Sequence, residues 1–110
     1  MELPNAAQAQ VDSTKITDYL LSSAHADGRN KAAFFTAFGF RVEEPEVLRQ
    51  ALQKHGATQG VTGTVESRYG VRYIVEGALE TPDGRNPIIR TVWIIAHESG
   101  VPRLITAYPV

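Results

Sequence analysis

The sequence predicts an α+β fold: about three N-terminal helices packed on one face of a C-terminal four-stranded antiparallel meander. Three observations predict it. Up to Gly56 the apolar residues recur at helical spacing. After the Gly/Thr-rich connector 58–63 the period switches to two. Turn signals then punctuate the strand candidates at short intervals. Runs of helix followed by runs of strand give segregated layers rather than alternating βαβ units.

Residues 1–12 hold Pro4, Asn5 and an Ala/Gln run, and read as a lead-in that lies over the fold or frays. Ser13 is a good N-cap for a helix over about 14–23, where Ile16, Tyr19 and Leu20 make one apolar stripe. The stretch 24–30, AHADGRN, is a loop by composition. In it Gly28 permits a positive φ and Asn30 can cap the next helix. That short helix, over about 31–38, presents Phe34, Phe35 and Phe38, and Gly39 stops it. Pro45 suits the first turn of a third helix. Val47, Leu48, Ala51, Leu52 and His55 form its stripe, Gly56 closes it, and His55 near its end serves as a cap.

The strand over 64–69 alternates weakly and reads as an edge. Val71, Tyr73, Val75 and Leu79 alternate with Arg72, Glu76 and Glu80, a half-buried strand in which Gly77 marks a bulge or a close approach. Thr81-Pro82-Asp83-Gly84 is a turn. The most strand-like stretch is 87–95, rich in Ile and Val with Trp93, and its apolar character on both faces makes it central. If Ile89, Thr91, Trp93 and Ile95 face one side, Arg90 lies on the other among Ile88, Val92 and Ile94. Such an Arg90, if buried, must be paired, and Glu76 is the partner at hand. A last strand over 103–108 places Leu104, Thr106 and Tyr108 on one face and ends at Pro109.

A chain of 110 residues fits one domain over 1–110, with lead-in 1–12, helical part 13–57 and sheet 62–110. Its 43% hydrophobic and 21% charged residues suit a soluble globular protein. A net charge of −1 supplies no global field for nucleic acid or an anionic membrane, so any such contact needs a local patch. Without cysteine there is no disulfide, thiolate metal site or Cys nucleophile, which fits a cytoplasmic location. No stretch approaches the roughly 20 apolar residues of a membrane span. The first residues lack the basic and apolar regions of a signal peptide. The three widely spaced histidines do not make a zinc pattern, and no P-loop, GxGxxG or Gly-x-Ser-x-Gly is present. No metal or other cofactor is expected.

Several blocks carry a resemblance: LPNA, KITDYLL, the run from His25 to Phe40, YGVRYIVEGALETPDGR, RTVWII and PRLITAYP. Together they resemble a family of small bacterial and cyanobacterial proteins known as a domain of unknown function. That resemblance spans nearly the whole chain and implies no activity. More remotely, the order of helices then meander is similar to the barnase–EndoU–colicin–RelE group of ribonuclease toxins, in which RNA is cleaved on the sheet without metal. Fold-level similarity does not carry function by itself.

The candidate chemistry falls in three places. His25 can move a proton near neutral pH, and with Arg29, Asn30 and Lys31 it surrounds a helix start able to hold an anion, or is simply a solvated, capped loop. Arg90 either pairs structurally with Glu76 or stabilises charge on a phosphoryl or carboxylate group. Thr106 and Tyr108 either belong to core and rim or supply a hydrogen bond, an acid or a stacking surface. Two functional readings result. The first is a protein-binding module that uses the edge strand over 64–69. The alternative is a metal-independent ribonuclease: if they converge, His25, Lys31, Arg90, Thr106 and Tyr108 meet the needs of RNA cleavage.

Overall fold

The computed structural model describes residues 1–25 and 28–110; Ala26 and Asp27, within the expected loop, lie outside the described residues. Three helices precede a four-stranded sheet. α1 is an α-helical turn, Ser13–Lys15, that widens into a π-helical turn, Ile16–Leu20. α2 is Arg29–Ala37 and α3 is Pro45–Thr58. The strands are β1 (Gly60–Ser67), β2 (Gly70–Ala78), β3 (Ile88–Ala96) and β4 (Arg103–Pro109). Their order is β1-β2-β3-β4, every pair antiparallel, so the apolar stretch read as central is β3, held between β2 and β4.

α1 ends earlier than its stripe predicts, and Asp12 rather than Ser13 takes the cap position. The wider turn, closed by Leu21 N–H donating to the Ile16 carbonyl, brings Ile16, Leu20 and Leu21 all into the core. α2 starts at Arg29, so Asn30 lies inside the helix and Gly28 is the cap residue. Gly39 does stop it: Phe40 N–H bonds the Phe35 carbonyl and Gly39 N–H bonds that of Thr36. The lead-in does not fray. Leu3, Ala9 and Val11 are buried, Met1 accepts from Val61 N–H beside β1, and Gln10 bridges to Arg103 on β4.

Period two decides the faces of β3. Ile89, Thr91 and Trp93 are fully buried, whereas Ile88, Arg90, Val92 and Ile94 lie on the side the helices leave uncovered. The core between sheet and helices is built from Ile16, Leu20, Phe35, Phe40, Leu48 and Leu52 against Val75, Leu79, Ile89 and Trp93.

Two expectations for the end of α3 need correction. Gly56 does not close the helix, which runs on to Thr58. It is glycine because the Trp93 ring lies against it: a Cβ there would come within 2.6 Å of Trp93 Cζ2. His55 is not a cap exposed to the helix end. It is buried and spans the core, with Nδ1 2.9 Å from Thr91 Oγ1 and Nε2 3.0 Å from the Gly77 carbonyl. A carbonyl only accepts, so Nε2 carries the proton of the neutral ring and Nδ1 accepts from the Thr91 hydroxyl. The same hydroxyl oxygen accepts from Trp93 Nε1–H at 2.8 Å. The result is one directed chain from Trp93 through Thr91 and His55 to the backbone of β2. Gly77 thus marks a close approach, since the Gln59 side chain also crosses over it.

Thr91→Val keeps nearly the same shape but strands His55 Nδ1 and Trp93 Nε1 in the core. At about 1–3 kcal/mol for each stranded group, the variant should unfold at a clearly lower urea concentration with an unchanged m-value. A change below about 0.5 kcal/mol would show that the chain does not bear on stability. Burial holds the His55 pKa below the usual 6.5, while hydrogen bonding to the carbonyls of Gly77 and Ile89 pulls the other way. The unfolded chain therefore takes up this proton first as pH falls. The stability from keeping His55 neutral is complete above pH 6.5 and declines below it, by up to about 1.4 kcal/mol per pH unit, until the folded-state pKa is reached. Melting temperature followed from pH 7.5 to 5 should drop less steeply for His55→Gln than for wild type, and equal slopes would refute the assignment.

Candidate functional site

The uncovered face of the sheet carries a polar row across three strands. Glu76 on β2 is the cross-strand partner of Arg90, and Arg90 is the partner of Tyr108 on β4. Arg90 Nε donates to Glu76 Oε2 at 2.9 Å. Hydrogen bonding and charge from Glu76, with a smaller contribution from Tyr108, hold the guanidinium pKa above its ordinary value. The pairing expected for Arg90 is present, but its burial is not. The Arg90 and Glu76 side chains are 41% and 28% exposed, because no helix covers this face. Only Nε is committed to Glu76 at hydrogen-bond distance, and a guanidinium has further N–H groups to offer. Around the row lie Ile74, Val92 and Ile94, half-buried, and Ile88, exposed.

β4 reaches this face through a bulge. The register with β3 shifts between Val92 and Trp93, so Ile105 is an extra residue. Leu104, opposite Trp93, therefore enters the core, while Thr106 and Tyr108 pair with Val92 and Arg90. The expectation that Leu104 shares a face with Thr106 and Tyr108 fails for this reason alone.

Beyond Thr106, at the open side of β4, lies a groove of about 640 Å³ lined by Thr14, Lys15, Asp18, Tyr19, His25, Ile105 and Thr106. Tyr19, carried by the π-helical turn, is its centre. Its hydroxyl is 3.1 Å from Thr106 Oγ1, and its ring meets that of His25 edge-on at 5.0 Å. Lys15 and Lys31 each place Nζ 5.4 Å from the centroid of the same ring. Gly28 abuts Tyr19 so closely that a Cβ would strike its carbonyl. That contact, and not the positive φ expected of it, requires glycine: φ is −91°. His25 Nδ1 accepts from Gly28 N–H at 3.0 Å, which places the proton of the neutral ring on Nε2. His25 also accepts through its carbonyl from Arg29 N–H, so two amides at the start of α2 are already engaged. Arg29 turns to a separate groove with Arg41 and Glu43.

The five residues singled out in the sequence thus fall into two adjoining groups. His25, Lys31 and Thr106 meet around Tyr19, and Arg90 and Tyr108 meet on the open face. Thr106 and Tyr108, two residues apart on β4, join them over about 7 Å. Sequence reasoning missed Lys15 and the role of Tyr19, and took Glu76 only as a structural partner. The hydroxyl of Tyr19 in an otherwise aliphatic stripe was the available signal. No group of three or more His, Asp or Glu among the described residues could hold a metal ion. No helix among them is long and apolar enough to cross a membrane.

With this geometry in place, comparison with known proteins places the chain. The model of a family described as "Domain of unknown function (DUF6883)" matches residues 2–110. The chain belongs to this family. No curated protein matches it. Among solved structures, a chain of the "Contact-dependent growth inhibition toxin - immunity protein complex from Klebsiella pneumoniae 342" matches over 96% of both chains, with TM-score 0.71 and 22% identity. The DUF6883 chain therefore shares its fold with a component of a toxin–immunity protein complex.

Proposed function

We propose that this DUF6883 chain is a ribonuclease-toxin-like enzyme that cleaves RNA on the open face of its sheet without requiring a metal. The observation that carries the reading is the row Glu76–Arg90–Tyr108. Cleavage by the ribose 2′-hydroxyl needs a base, a cation for the phosphoryl charge and an acid for the leaving oxygen. The attacking and leaving oxygens stand on opposite sides of phosphorus, so base and acid must flank the cation. In the row Arg90 lies on the middle strand, with Glu76 on one side and Tyr108 on the other. Glu76 takes the 2′-hydroxyl proton as the O2′–P bond forms. Arg90 holds the phosphoryl oxygens. The P–O5′ bond breaks as Tyr108 protonates O5′, leaving a 2′,3′-cyclic phosphate and a 5′-hydroxyl. His25, Lys31 and Thr106 then serve the neighbouring groove, and the Nε2–H of neutral His25 is a donor rather than a base. The likeness to a chain of a toxin–immunity protein complex supports the reading at the level of fold.

The test is cleavage of mixed-sequence RNA in EDTA. Glu76→Gln, Arg90→Gln and Tyr108→Phe should each lower the rate by about 10²–10⁴-fold, with little change in melting temperature because the row is solvent-accessible. His25→Ala should lose less. Absence of cleavage by wild type, or full activity in Glu76→Gln and Tyr108→Phe, would refute the mechanism.

A second reading, binding to a protein partner, is favoured by the outer edge of β1. Val61 N–H is taken by Met1, but beyond it no strand among the described residues pairs with the edge, and Val65 is 52% exposed. Such an edge can accept an added strand. A partner bound this way should protect the amides of 62–67 from hydrogen exchange. Protection confined to the opposite edge would exclude it.

A further inference from the structure

We propose that the groove beside β4 holds the nucleotide on the 3′ side of the scissile bond, gripping the phosphate that comes after it in single-stranded RNA. This rests on the cleavage reading and adds a strand direction to it. If Glu76 activates the 2′-hydroxyl, the ribose on the 5′ side lies toward β2. Tyr108 protonates the O5′ of the next nucleotide, so the RNA leaves the row over β4. The groove is the surface it meets there, since Thr106 lies two residues from Tyr108 on the same face.

The chemistry of the groove fits a phosphate. Lys15 and Lys31 come from different helices, yet both ammonium groups stand over one tyrosine ring. Neither makes an ion pair among the described residues. Asp18 is the one carboxylate among the groove's described lining residues, and its Oδ1 accepts from Thr17. Among the described lining residues Lys15 and Asp18 carry the charges, and Lys31, set against the same Tyr19 ring, brings a second cation to the groove's border. Ammonium groups on flexible stems suit a phosphate as point charges. The hydroxyls of Tyr19 and Thr106 and the aromatic rings of Tyr19 and His25 give the attached nucleoside polar and flat surfaces. At about 640 Å³ the groove admits a ligand of that size.

The experiment compares three short substrates: a dinucleotide NpN, the same with a 3′-terminal phosphate, NpNp, and the same with a 5′-terminal phosphate, pNpN. Wild type should cleave NpNp with kcat/KM about tenfold above NpN, and pNpN should gain much less. In the Lys15→Ala/Lys31→Ala double variant, checked for an unchanged melting temperature, the ratio of NpNp to NpN should fall to about one. Single variants should each lose part of the gain, which keeps the test open if the double variant does not fold. Cleavage of NpN and NpNp at equal rates by wild type, a gain that survives both substitutions, or a gain from the 5′ phosphate instead would overturn the proposal and leave the cleavage mechanism standing. No cleavage of any substrate would overturn both.

Discussion

The directed chain from Trp93 through Thr91 and His55 to the Gly77 carbonyl is the constraint on which the rest of the structure depends. It ties α3 to β2 and β3 inside the core, and every polar group in it has a partner. Buried polar networks are costly unless complete, and when complete they select one arrangement. Here the selected quantity is the phase of β3. With Thr91 and Trp93 turned inward, Arg90 and Val92 must turn outward. A slip of one residue would carry Arg90 into the core and break both the chain and the Arg90–Glu76 pair. Gly56 belongs to the same device, because only the absence of a side chain lets α3 approach the Trp93 ring.

The open face inherits its chemistry from that phase. Glu76, Arg90 and Tyr108 stand in register because three antiparallel strands are in register. The bulge at Ile105 performs the second adjustment. It sends Leu104 inward and Thr106 outward, so that β4 closes the core and still presents Tyr108 opposite Arg90 and Thr106 opposite Val92. The π-helical turn performs the third, since it carries the tyrosine that bonds Thr106. Local departures from regular geometry of this kind recur next to functional sites. In this chain two of them flank one groove.

Much of this is legible in the sequence. Periodicity separates the helices from the meander, and the apolar run of β3 identifies the central strand. The Arg90–Glu76 pair comes from period two on neighbouring strands. The illegible parts have physical causes. Nothing in a single sequence shows which sheet face remains uncovered, so Arg90 reads as buried. A one-residue bulge leaves no compositional mark at Ile105, so strict alternation puts Leu104 on the wrong face. His55 falls on an apolar stripe near a glycine, where a cap and a core histidine look alike. Its true partners, Thr91 and Gly77, lie on other elements. Gly56 and Gly28 suggest backbone freedom in the sequence, whereas contacts with Trp93 and Tyr19 require them. Lys15 and Tyr19 escape notice because their meeting with Lys31 and His25 is made by tertiary packing.

On the proposed mechanism this sheet face cleaves RNA through the 2′-hydroxyl. The most direct measurement is the chemistry of the ends it leaves. A pool of DNA oligonucleotides, each with one ribonucleotide in varied sequence context, would be incubated with the protein in EDTA. Attack by the 2′-hydroxyl gives scission only on the 3′ side of the ribonucleotide, with a 2′,3′-cyclic phosphate on one fragment and a 5′-hydroxyl on the other. Scission within the DNA, fragments ending in 3′-hydroxyl and 5′-phosphate, or no scission of this pool or of all-RNA controls would contradict it.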